Sequence, residues 1–78
     1  MVNHRESAVA DRWKADGWRP LRNGAPDYMM LKVDERGEIT DLHAVEVKSP
    51  GDDLSYEQKV WREICKRAGI PFTVEVVE

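Results

Sequence analysis

Cysteine is almost missing from this chain: Cys65 stands alone, which excludes an internal disulfide and, with no Cys/His cluster beside it, a thiolate zinc site. Long apolar runs are missing too. None approaches the ~20 residues that a membrane-crossing helix needs, and the opening MVNHRESAVADRWK has no apolar core of the kind a secretory signal carries. A soluble, cytoplasmic protein without membrane contact is therefore expected. A basic excess is also lacking. The net charge of −3 argues against a general polyanion binder, because such domains neutralise phosphates with a strong surplus of lysine and arginine. It leaves room for a nuclease, since acidic residues gathered at a metal site lower the sum while basic residues elsewhere hold a backbone. Repeats, linkers and low-complexity runs are absent, so residues 1–78 read as one domain. A chain of this size buries only roughly 60% of the surface its unfolded form exposes, and with no cysteine staple to compensate, self-association is an expected remedy.

What is present has clear periodicity. Val2, Glu6, Val9 and Trp13 recur at spacings of four, three and four, one stripe of a helix over about residues 3–16 that Gly17 stops. WRPLR, residues 18–22, reads as a short edge strand, since Pro20 cannot donate to a central ladder. Residues 27–33 and 41–48 read as a hairpin whose turn is supplied by Gly37. From Ser55 the period changes: Val60, Trp61, Ile64, Cys65 and Ala68 share one helical face, Lys59, Arg62 and Lys66 the opposite one, and Gly69 with Pro71 ends the helix. FTVEVVE, residues 72–78, is a last strand. A right-handed crossover through the second helix lays that strand parallel to 42–48. The expected fold is α/β, a mixed sheet flanked by two helices in the order α-β-β-β-α-β. Trp13, Trp18 and Trp61 are expected in its core.

Carboxylates interrupt the most strand-like segments. Side-chain alternation puts Glu46 and Lys48 on one face of their strand, and Asp27, which begins the adjacent strand, can bring its carboxylate towards Glu46. Two carboxylates beside an ammonium suit Mg²⁺ or Mn²⁺, which prefer oxygen ligands and keep several waters. Such an ion activates water and polarises a phosphate, while Lys48 orients the water or stabilises transition-state charge. A cross-strand salt bridge on a solvated face is the other reading of the same trio. His43, three residues before Glu46, falls on the opposite face.

APD at 25–27, EVK at 46–48 and S-x-x-Q-x-x-W at 55–61 together resemble the PD-(D/E)xK nuclease superfamily, and specifically its VRR-NUC (virus-type replication-repair nuclease) domain. The resemblance covers nearly the whole chain, from Glu6 to Val77. It implies a minimal PD-(D/E)xK core, with Asp27 and Glu46 as ligands of Mg²⁺ or Mn²⁺, the Val47 backbone carbonyl adding a third, Lys48 as the catalytic lysine, and Gln58 and Glu6 close to the active site. It implies a metal-dependent endonuclease acting on DNA, with no organic cofactor. Stand-alone members of the family are commonly viral or phage proteins, so that a phage-encoded chain would work in the cytoplasm of a bacterial host, and a homodimer would present two sites to a branched substrate such as a Holliday junction or a flap. A catalytically silent binding module of the same fold and a small RNase are the alternatives.

Two of these residues carry a second reading. Ser55 to Gln58 fits the S-x-x-Q capping box, which alone would explain Gln58. Glu6 sits within an apolar stripe, where an unpartnered carboxylate is costly, yet fraying or a pairing with Arg5 or Arg22 would also satisfy it. For phosphate contact the candidates are Arg19 and Arg22, which precede the metal motif, then Arg5, Arg12 and the Lys59–Arg62–Lys66 stripe, which is otherwise the solvated side of a helix.

Overall fold

The computed structural model describes residues 4–22 and 26–78, the side chains of residues 4–6 and 22 falling outside that description. Helix α1 (His4–Ala15) is followed by strands β1 (Arg19–Arg22), β2 (Tyr28–Val33) and β3 (Ile39–Lys48), helix α2 (Tyr56–Arg67) and strand β4 (Phe72–Val76). The sheet order is β1-β2-β3-β4, with the first two pairings antiparallel and β3 parallel to β4. This is the α-β-β-β-α-β arrangement that the periodicities predict, with the last strand parallel to β3.

Local chemistry sets the joints. Gly17 takes φ +90° after α1, a left-handed conformation that suits glycine. Between β2 and β3 the carboxylate of Asp34 accepts from the main-chain N–H groups of Arg36 and Glu38, and Gly37 sits at φ +83°. β3 consequently begins two residues earlier than its apolar alternation suggests. Ser55 caps α2 with both hydrogen bonds of a capping box.

The two faces of the sheet differ sharply. Cross-strand partners share a face, so Tyr28, Met30, His43 and Val45 point one way, with Thr73 and Glu75 beyond them. Helix α1 covers this side, and Val9, Ala10, Tyr28, Met30 and Val45 form the buried core there, with Trp13 and Trp18 packed against it. The His43 ring lies 4.7 Å from that of Trp13, and its Nε2 bonds Thr73 Oγ1. His43 thus belongs to the face away from Glu46, as alternation requires, and desolvation by burial lowers its pKa.

Leu21, Met29, Ala44, Glu46 and Lys48 point to the other side, where α2 lies. Here the expectation that Trp61 lies in the core fails. Of the described residues of α2 only Cys65 is buried, while Val60, Trp61 and Ile64 remain exposed. Trp61 is therefore not a core residue. One helix over a four-stranded sheet covers only part of it, and helical periodicity cannot say how much sheet lies beneath an apolar stripe. Among the described residues no helix is long and apolar enough to cross a membrane.

Candidate active site

Pro26 is fully buried and delivers Asp27 to the start of β2, directly beside the end of β3. There the chain ties its two carboxylates together through its own backbone. The Asp27 N–H donates to Glu46 Oε2 at 3.1 Å, and the Val47 N–H donates to Asp27 Oδ2 at 2.8 Å. The first of these contacts uses a main-chain donor of a motif residue, which no side-chain pattern in a sequence reveals.

Glu46 is 1% exposed, a rare state for a carboxylate. Its Oε1 accepts from Gln58 Nε2 at 2.5 Å, while the Gln58 Oε1 accepts from the Ser55 N–H at 2.8 Å. Gln58 therefore makes two contacts at once: its oxygen closes the capping box and its amide nitrogen donates to Glu46. A helix start placed over the end of β3 makes this possible, since the capping residue and the carboxylate then face one another.

Burial, and next the negative charge of Asp27, push the Glu46 carboxyl up to about 7, against the partial relief that the Asp27 N–H bond and the Lys48 ammonium provide. Lys48 shares the face of Glu46 and is half-buried; its carbonyl accepts from the Val77 N–H, which pins the strand at that residue. The site is a pair of hard oxygen donors with more negative charge than the protein neutralises. That donor set fits a hard divalent cation, because a cation would relieve the energetic cost of ionising Glu46. Among the described residues no cluster of three or more His, Cys, Asp and Glu side chains is placed to hold a metal; the protein side chains there supply two carboxylates, and Mg²⁺ commonly completes its shell with waters and substrate oxygens.

Other sequence candidates scatter. The side chains of Glu6, Arg5 and Arg22 lie outside the described residues. Arg12 gives its guanidinium to Glu75 at 3.0 Å on the α1 face, away from Glu46. Arg19 is exposed and shares the face of α2 through its partner Leu31. Lys59 and Arg62 are exposed on α2 itself, the helix that carries Gln58.

With this geometry in place, comparison with known proteins is informative in one respect. The family model of the VRR-NUC domain matches residues 1–78, the whole chain. No curated protein and no solved structure matches it.

Proposed function

The chain belongs to the VRR-NUC family, a family of nuclease domains, and from that premise we propose that it is a Mg²⁺- or Mn²⁺-dependent endonuclease that hydrolyses DNA phosphodiester bonds. The observation that carries this reading is the buried Glu46 beside Asp27, a carboxylate pair left short of positive charge at the end of a rigid strand. Asp27 and Glu46 would hold the cation, with the Val47 carbonyl and Glu6 as further ligands. The chemistry supplied by such an ion when bound is Lewis-acid polarisation of a phosphate oxygen and activation of water.

The remaining work falls to the chain's own groups. Gln58 fixes the Glu46 rotamer from α2, and the Val47 N–H fixes Asp27, so both ligands are held by backbone or by a capped helix rather than by loops. Lys48 places an ammonium beside the carboxylates, where it orients the attacking water and stabilises charge developing on the phosphate. Lys59 and Arg62, on the helix of Gln58, grip flanking phosphates. No recognition helix is evident among the described residues, and binding rests on phosphate and shape. We accordingly take the substrate to be branched DNA, a junction or a flap met by a homodimer in phage or viral replication, recombination or repair.

The test is cleavage of labelled four-way-junction, flap, single-stranded and linear duplex DNA in Mg²⁺ and in Mn²⁺, with Lys48→Ala beside the wild type. Cutting of branched DNA that disappears in the variant is the expected result. Cutting of RNA alone would make the protein a ribonuclease, and folded wild-type protein inert on every substrate would make it a binding module.

A further inference from the structure

Tyr56 opens helix α2 and is the most exposed large apolar side chain among the described residues, at 81%. The helix start does not call for it: the capping box is closed by Ser55 and Gln58, and an aromatic ring is not among the better helix formers. Its place in the molecule is set by its neighbours. Gln58, two residues on, gives its amide to Glu46, and Cys65, two helical turns beyond Gln58 and so on the same line, is buried. That line faces the sheet. At about 100° per residue, Tyr56 turns to the outer side of the first turn. Neighbouring Cα atoms are about 3.8 Å apart, so the Tyr56 Cα lies within about 8 Å of that of Gln58, at the lip of the carboxylate pair.

Cations continue from this ring. Lys59 follows Tyr56 by three residues, Arg62 follows Lys59 by three and Lys66 follows Arg62 by four, a spacing that keeps all three along one flank, and all three are exposed. The acidic residues of α2 leave that flank clear, since Glu57 turns to the opposite one and Glu63 accepts from Arg67 at 3.1 Å. An aromatic face followed by a row of cations suits a single nucleic-acid strand, whose bases stack on the ring while the charges track the backbone. We propose that Tyr56 is the stacking platform for an unpaired nucleobase beside the scissile phosphate, with Lys59, Arg62 and Lys66 following the phosphates of that strand away from the site. The inference rests on the proposed nuclease function and deepens it, naming the unpaired nucleotide as what the site selects. Every base has a π-face, so such a contact tolerates any sequence, in keeping with binding through phosphate and shape. It requires a base outside its duplex stack, and extracting a paired one costs about as much as the contact returns. A flap or a single-stranded tail offers that base without the cost. Of the branched substrates, the geometry therefore favours the flap over a fully paired four-way junction.

The test is binding of the full chain in EDTA, where no metal-dependent cutting intervenes, to a single-stranded oligonucleotide carrying 2-aminopurine and to a duplex of the same sequence. Stacking on the tyrosine should quench the 2-aminopurine emission. Tyr56→Ala should remove the quenching and weaken single-strand binding about five- to a hundredfold, with duplex affinity within about twofold of the wild type. Tyr56→Phe should retain both properties, whereas Tyr56→Leu should behave as the alanine variant, which separates ring stacking from apolar contact. The side chain is exposed, so the variants should unfold at the wild-type temperature. Lys59→Ala should weaken single strand and duplex alike and lower the salt slope by about one. In Mg²⁺, Tyr56→Ala should lose the preference for flap over duplex. A wild type that binds no single strand overturns the proposal, as does single-strand binding indifferent to Tyr56→Ala, lost equally on duplex, or retained by Tyr56→Leu. Tyr56-dependent quenching by a protein that cuts nothing in Mg²⁺ or Mn²⁺ would leave this inference standing while the nuclease reading falls. Lys48-dependent cleavage that Tyr56→Ala leaves unchanged on flap and duplex would do the reverse.

Discussion

Replacing Glu46 by glutamine should make the protein more stable at alkaline pH while abolishing its chemistry. The folded state holds the Glu46 carboxyl near 7 against an ordinary value of 4.5, so between those two pH values the folded chain binds more protons than the unfolded one. Stability therefore falls as pH rises through that window, and above pH 7 the full cost is present. At 1.36 kcal/mol per pH unit the cost has an upper bound of about 3 kcal/mol, which solvent screening and relaxation at the sheet end trim to about 2 kcal/mol. Glutamine removes the charge, keeps the shape and gives up one acceptor towards the Asp27 N–H or Gln58, worth about 1 kcal/mol. Glu46→Gln should thus gain about 1–2 kcal/mol over the wild type at pH 8 and lose about 1 kcal/mol near pH 4.5. Urea unfolding of both proteins in EDTA across that range measures it. A variant less stable than the wild type at pH 8, or a difference that does not change with pH, would refute the electrostatic account of the site. Added Mn²⁺ should stabilise the wild type at pH 8 and leave the variant unmoved.

Three further outcomes follow from the same geometry. Lys48→Ala should abolish cleavage with a change in stability within about 0.5 kcal/mol; because Lys48 favours the ionised Glu46, the pH at which Mn²⁺ half-protects the fold should rise. Gln58→Ala removes a cap and a site contact together, so thermal unfolding should show a loss of about 1–2 kcal/mol and assays a fall in cleavage rate, whereas Ser55→Ala, losing the capping oxygen alone, should cost about 1 kcal/mol with a smaller rate effect. Met30→Ala, at a fully buried position on the α1 face, should cost about 2–5 kcal/mol in denaturant unfolding, while Ile64→Ala should leave monomer stability within about 0.5 kcal/mol.

Much of this molecule is local, and what is local can be read from the chain. Gly17, Gly37 and the Ser55–Gln58 box punctuate the elements through φ/ψ preferences and short-range hydrogen bonds, so element order and the parallel last strand were determined by the sequence itself. Strand alternation likewise put Glu46 and Lys48 on one face and His43 on the other. What required tertiary structure was everything that depends on how far elements reach. An apolar stripe on α2 looks the same whether a sheet lies under all of it or part of it, so the exposure of Trp61 and Ile64 could not be read from periodicity. Gln58 offered a cap or a site contact as competing roles; only the placement of the α2 start over the end of β3 let one amide serve both through its two ends. The poise of Glu46 is the clearest case. Its residue type and spacing are in the sequence, but its burial and its distance from a second negative charge arise where β2 meets β3, and those two quantities decide what the carboxylate can do.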